Sequence, residues 1–522
     1  MKKYSPLAFL FSLLFAVSAY AGEGRYTLPL TGGGWSLWLD KEASWQNDRL
    51  YLPHEITDLS LLPVNTPTGG WQALNDNLDA VSVEVPGTVE EYLTTSDNPR
   101  PEDFKGVSWW YRKITIPADQ ANKRHLIYFE SVRMRAEVYL DGKLVAYDLI
   151  GETPFHVDIT KEAKPGTEQL LAVRVTNPGG NFHWQDFDIQ KWGEYNIPPA
   201  RSFSGIIGRV KLESVNPVFI SDIYMQNTPE PTKVNAIISF TNETPSSVKQ
   251  DVELTVSEKN RPDKVVFRQL LKHVSFPPGK REMMIPVSVS DAKLWDLDTP
   301  ELYTCNIQIK KGKNTLDRDK KNFGFRWFSA EGVGTDAVLR LNGRRVMLRS
   351  AISWGYFPVT GLIATPEMAE KQVLTAKKLG LNMLNFHRCI GSPVVLEKTD
   401  ELGLLYYEEP GSFHSANHDP FIRTIVNEKL KRMVHRDRSH PSLIIFNLIN
   451  EFGGPLSRDK ELVAKRMNDM REAHAVDPGR IMTFTSGWAG SEDREEDSKS
   501  HMLPANHIVF SAFDAKTEFF HL

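Results

Sequence analysis

Between residues 22 and 216 apolar, β-rich runs of strand length recur between polar turn residues, an all-β pattern. SWWYRKITI (108–116), HLIYFESV (125–132), AEVYLDGKLVAY (136–147) and LLAVRVTN (170–177) are of strand length and rich in β-branched and aromatic residues. Asp141-Gly142, between AEVYL and KLVAY, predicts a hairpin, because a type I′ turn needs positive φ at both central residues. Strands at this spacing predict a jelly-roll sandwich. A second β segment, residues 217–329, carries VNAIISFTN (234–242), QDVELTVSE (250–258) and LYTCNIQIKK (302–311). Each alternates with period 2, and so many short strands in that length fit an immunoglobulin-like sandwich.

Near residue 330 the pattern changes. RVMLRSAIS (345–353) reads as a strand, and Thr365 and Pro366 then supply an N-cap and a first helical residue. Ala369, Val373 and Ala376 form an apolar helical face, and Gly380 ends the helix. NMLNF (382–386), LLYYEE (404–409), SLIIFNLIN (442–450) and RIMTFTS (480–486) are further strands, with helices near 393–402, 420–435 and 458–475 between them. Strands alternating with helices predict a parallel sheet, here residues 330–522 as a (β/α)8 barrel. The count falls short: five strands and a sixth at HIVFSAF (507–513), in 193 residues where a full barrel takes about 250. SEDREEDSKS (491–500) reads as a solvated loop.

Composition narrows the class. With 41% apolar and 25% charged residues the chain is globular, and a net charge of −4 gives no electrostatic reason to expect nucleic acid or an anionic membrane as partner. Residues 1–21 read as a signal peptide: Lys2-Lys3, the apolar run LAFLFSLLFAV and the Ala19-Tyr20-Ala21 cleavage site predict export, periplasmic in a Gram-negative source. No lipid-accepting Cys follows and no later run has transmembrane length, so no membrane anchor is expected. Cys305 and Cys389 fall in different expected domains and read as two buried free thiols. Trp109 and Trp110 read as sandwich core. Neither a metal-ligand cluster nor a dinucleotide fingerprint is present, and no cofactor is expected.

The strand SLIIFNLIN raises the chemical question. It is apolar throughout, as a parallel strand buried on both faces is, yet it runs into Asn450-Glu451, an amide beside a carboxylate. With the surrounding motifs, the chain resembles glycoside hydrolase family 2, the family of β-galactosidases, β-glucuronidases and β-mannosidases. VPGTVEEY (85–92), VSWWYRK (107–113), TPFHVDIT (153–160) and SFSGIIGRVKL (202–212) are similar to that family's sugar-binding domain. LWDLDTPELY (294–303) and FGFRWF (323–328) are similar to the end of its immunoglobulin-like domain, and LRLNGRRVMLRSAISW (339–354) to the start of its barrel. RDRSHPSLIIFNLINE (436–451) resembles the acid/base signature at the tip of the fourth strand.

The resemblance implies a retaining glycosidase removing terminal β-linked sugars, β-galactosidase-like first and β-glucuronidase-like second, with an oligosaccharide or β-glycoside as its partner. Glu451 would be the acid/base and Asn450 would bond the sugar 2-hydroxyl. His387, Trp354 and Trp488 are candidate substrate contacts, and Glu409 a supporting carboxylate behind them. Two departures stand out. The family's strand-two signature has an Arg three residues after its Asn and a His three further on; counted from Asn382, this chain has Asn385, His387 and Arg388, displaced. The strand-seven nucleophile lacks its usual Glu-Phe-Gly motif; Glu518 in KTEFFHL is the late carboxylate left for that role. The chain is thus expected to be a C-terminally shortened relative. The competing readings are a noncatalytic carbohydrate-binding protein and an inactive fragment of a longer glycosidase. Oligomeric state is not legible.

Overall fold

The computed structural model describes residues 20–21, 24–76, 78–93, 104–179, 189–198, 203–332, 338–355, 357, 363–412, 419–450, 452 and 459–486. Two antiparallel β sandwiches precede an α/β unit. In the first sandwich one sheet runs, in spatial order, Val81–Val85, Gly32–Asp40, Gly106–Thr115, Glu168–Asn177, Arg135–Leu140 and Lys143–Asp148. The facing sheet runs Tyr20–Ala21, Tyr26–Pro29, Val210–Val215, Arg124–Phe129 and Phe155–Asp158. Alternate residues of both, among them Trp110, Ile127, Val173 and Leu212, fill the core between them. Trp109 points to the other face of the first sheet, where Leu62, Leu74 and Trp71 cover it. Both tryptophans are therefore buried, one on each face.

The expected hairpin joins Arg135–Leu140 to Lys143–Asp148, with φ of +48° at Asp141 and +81° at Gly142. In the second sandwich Val218–Asn227, Lys233–Asn242 and Gly279–Ser288 pack on Arg261–Phe276, Val248–Glu258, Tyr303–Lys311 and Asn314–Phe323. Cys305 is in that core, Cys389 is half-buried, and both are free thiols.

Five parallel strands form the sheet of the α/β unit: Ser350–Ser353, Met383–Phe386, Leu405–Glu408, Leu443–Asn450 and Ile481–Ser486, in sequence order. HIVFSAF lies outside the described residues. Helices Pro366–Lys378, Pro393–Leu402, Pro420–Asp437 and Lys460–Val476 cover the sheet. Local chemistry explains their starts. The Thr365 hydroxyl accepts from Met368 N–H, and the Asp419 and Asp459 carboxylates accept from the first free N–H groups of the last two helices. The fourth strand is buried at every residue.

One expectation needs correcting. RVMLRSAIS is not a single strand, since only Ser350–Ser353 joins the parallel sheet. Arg344–Arg345 instead pairs back on Val338–Leu341, because Asn342 and Gly343 adopt positive φ and turn the chain there. The Asn382 side chain then holds the intervening stretch, accepting from Arg349 N–H at 2.7 Å and donating to Met347 O at 2.8 Å. Among the described residues, no helix is long and apolar enough to cross a membrane.

Candidate active site at the barrel mouth

The C-terminal ends of the parallel strands carry a connected set of polar side chains in an otherwise apolar interior. Glu409, just past the third strand, is fully buried. Its Oε2 accepts from Asn447 Nδ2 at 3.1 Å, and Asn447 Oδ1 accepts in turn from the Thr483 hydroxyl at 2.8 Å. Its Oε1 accepts from the Arg388 backbone N–H at 3.1 Å and lies 3.3 Å from His387 Nδ1. Arg388 Nε donates to Asn450 Oδ1 at 2.7 Å. One hydrogen-bonded path thus crosses from the fifth strand to the second and returns to the tip of the fourth. Asn450 is anchored a second time through its own N–H to Ser412 O at 2.9 Å.

This arrangement depends on an unusual backbone. Arg388 has φ +54°, a left-handed conformation that costs a non-glycine residue energy and recurs at functional sites. It turns the Arg388 N–H onto Glu409 while the side chain reaches Asn450. Trp354, following the first strand, meets the His387 ring edge-on at a centroid distance of 4.6 Å, and the Arg388 guanidinium carbon lies 5.7 Å from the Trp354 ring.

Three of the residues singled out from the sequence, Asn450, His387 and Trp354, are therefore brought together, with Glu409 behind them. Glu451, Trp488 and Glu518 lie outside the described residues. Asn382 is not part of the site: it is spent bracing the approach to the first strand. Counted from Asn385 instead, Arg388 falls three residues on, in the signature's own register, and Gly391 stands three further where the pattern has His. That register was available in the sequence, but two asparagines in NMLNF offered two anchors. Asn447, Thr483 and Ser412 had no sequence signal, since each acts through a partner distant in the chain.

Gly391 has a packing cause. A Cβ there would stand 2.1 Å from the Phe386 ring and 2.9 Å from Glu408 Oε1. Phe386 cannot give way easily, being stacked on Tyr406 at 3.9 Å. The Gly391 N–H donates to Glu408 Oε1 at 2.7 Å. Glu408 leaves the strand on the face opposite Glu409 and meets the helix residues Arg436 and Asp437. Burial, reinforced by the Asp437 carboxylate, pushes the Glu408 carboxyl well above the usual range against the opposing pull of Arg436. Among the described residues no group of three His, Cys, Asp or Glu side chains is placed to hold a metal.

Two sandwiches followed by a parallel α/β sheet with a polar mouth define a class. Three family profiles match in sequence order: the sugar binding domain of glycosyl hydrolases family 2 over residues 72–198, the central family 2 domain over 218–326 and the family 2 TIM barrel domain over 336–515. The chain belongs to glycoside hydrolase family 2.

Among its relatives, a Formosa agariphila protein provisionally named a β-glucuronidase is 25% identical over 86% of this chain and 51% of its own length. A β-galactosidase of Thermoanaerobacter pseudethanolicus is 28% identical over 73% of this chain and 49% of its own. Among solved structures, Bacteroides uniformis β-glucuronidase 2 covalently bound to cyclophellitol-6-carboxylate aziridine superposes with a TM-score of 0.69. It is 21% identical, over 91% of this chain and 54% of that one, a likeness of fold. The chain spans about half, or less, of the length of the curated relatives it matches first.

Proposed function

We propose that the barrel mouth binds a terminal β-linked sugar and that Glu451 serves there as the general acid/base of a retaining glycosidase. One observation carries this reading: Asn450, the residue before Glu451, is fixed at the tip of the fourth strand by Arg388 and by Ser412 O. Held there, the Asn450 amide would bond a sugar hydroxyl, a contact that strengthens in the transition state. His387 and Trp354 border the same place and offer a polar ring edge and an apolar face.

In this mechanism protonated Glu451 gives its proton to the departing glycosidic oxygen. A second carboxylate, about 5–5.5 Å away, attacks the anomeric carbon, and Glu451 then activates the water that releases the sugar. Glu518 is the chain's candidate for the second carboxylate. The relatives' names divide between β-galactosidase and β-glucuronidase; of these we propose a β-galactoside first.

Hydrolysis of aryl β-galactoside, β-glucuronide and β-mannoside by the purified chain, beside Glu451→Gln and Glu518→Gln, tests the proposal. Activity on one sugar that falls at least about a hundredfold in Glu451→Gln, the scale of general acid/base catalysis, supports it. A folded chain inactive on all three overturns it in favour of a carbohydrate-binding role.

A further inference from the structure

A cavity of about 320 Å³ lies where the second sandwich meets the start of the fifth parallel strand. Gln226, Asn227 and Asn235 line it from the sandwich, Trp327 from the segment that leaves it, and Gly479 and Arg480 from the approach to Ile481. The mouth is at the other end of that strand. Six residues at about 3.3 Å each separate the two by about 20 Å.

The cavity's polar groups are half used. Asn235 Nδ2 donates to Gln226 Oε1 at 3.1 Å and Asn227 Nδ2 to Gly324 O at 2.9 Å. Those bonds fix both amides, and leave Gln226 Nε2, Asn235 Oδ1, Asn227 Oδ1 and the Trp327 indole N–H with no partner among the described residues. Among the described residues no carboxylate lines the space. Among the described lining residues Arg480 is the charged one: its guanidinium pairs with Asp477 at 3.1 Å through Nε and donates to Arg438 O at 2.7 Å through Nη2, while Nη1 has no hydrogen-bond partner among the described residues. Fixed donors and acceptors side by side, without net charge, suit hydroxyl groups, which give and take at once. An indole adds an apolar surface with a polar edge, the match for the C–H face and hydroxyl rim of a sugar ring. The volume is at the low end of ligand pockets, and domain seams are where such pockets concentrate.

We propose that this seam is a second, noncatalytic binding site for one neutral pyranose unit, remote from the barrel mouth. The occupant is an uncharged sugar ring, held by Gln226, Asn235 and Trp327.

Binding of methyl β-D-galactopyranoside and methyl β-D-glucopyranoside to the full chain carrying Glu451→Gln, followed by calorimetry and saturation-transfer NMR, tests this. At least one of the sugars should show a class of sites that weakens more than tenfold on adding Trp327→Ala or, separately, Asn235→Ala, with the melting temperature nearly unchanged. That class should persist when Trp354→Ala is added instead. Binding that survives both seam substitutions, or no binding of either sugar up to its solubility, overturns the proposal. Should Trp327→Ala prove unfolded, Asn235→Ala decides alone. Failure of the mouth reading would show separately, as absent hydrolysis by the parent chain.

Discussion

Glu408 and Glu409 are neighbours in sequence with opposite surroundings. Glu409 sits among donors, from Arg388 and Asn447. Glu408 is buried beside another carboxylate, and its proton is held more tightly than in the unfolded chain. A carboxyl whose folded pKa is raised contributes stability below the unfolded glutamate value, and that contribution is lost as pH rises through the folded value. Glu408→Gln keeps the acceptor for the Gly391 N–H and removes the ionisation. It should melt like the parent near pH 4.5 and become progressively more stable than the parent as pH rises above that. Thermal melts of both proteins across that range check the sign; a variant less stable at every pH would mean that Arg436 requires a charged partner.

Among the elements, the loop between the second strand and helix Pro393–Leu402 is constrained at two points. It leaves the strand through the left-handed Arg388 and passes Gly391, where the Phe386 ring and Glu408 fill the space a side chain would need. Gly391→Ala should therefore destabilise the chain by about 1–3 kcal/mol, the usual cost of overpacking. It should also lower any glycosidase activity, since Arg388 would lose its aim at Asn450. Urea unfolding and aryl-glycoside assays would read the two effects. Unchanged stability would mean that the loop accommodates a methyl group by moving.

At the scale of the molecule, buried ion pairs tie the units together. Arg25 reaches from the first sandwich into the second, where Nε and Nη2 donate to the two Asp317 oxygens at 2.9 Å each and Nη2 also reaches Ile220 O at 2.6 Å. Asp317 has no solvent exposure. Lys429 and Arg432, on helix Pro420–Asp437, pair with Glu152 and Asp148 of the first sandwich at 2.9 and 2.7 Å. Removing one partner of such a pair leaves a buried charge unpaired, so Arg25→Ala should cost about 3–5 kcal/mol. Urea unfolding should then show the two sandwiches melting separately. Arg25→Lys should recover little, because an ammonium cannot reproduce the two parallel bonds. A single transition with unchanged midpoint would contradict this.

Local rules were enough for much of this protein. Period-2 alternation, the Asp141-Gly142 turn, the Thr365 cap with its Ala369, Val373 and Ala376 face, and the apolar fourth strand ending on Asn450 all act within a few residues of themselves, so the sequence alone determined them. It also determined the family, because several motifs occur in order. Tertiary structure alone decided that Asn382 braces the first strand while Arg388 bonds Asn450, that Asn447 and Thr483 support Glu409, and that a side chain at Gly391 would meet the Phe386 ring. It also decided that Arg344–Arg345 folds back out of the parallel sheet. Each of these outcomes rests on contacts between strands, or on a backbone turn, that hydrophobic periodicity does not encode. Which of two asparagines meets a carboxylate or a guanidinium is settled by packing after the chain has closed on itself.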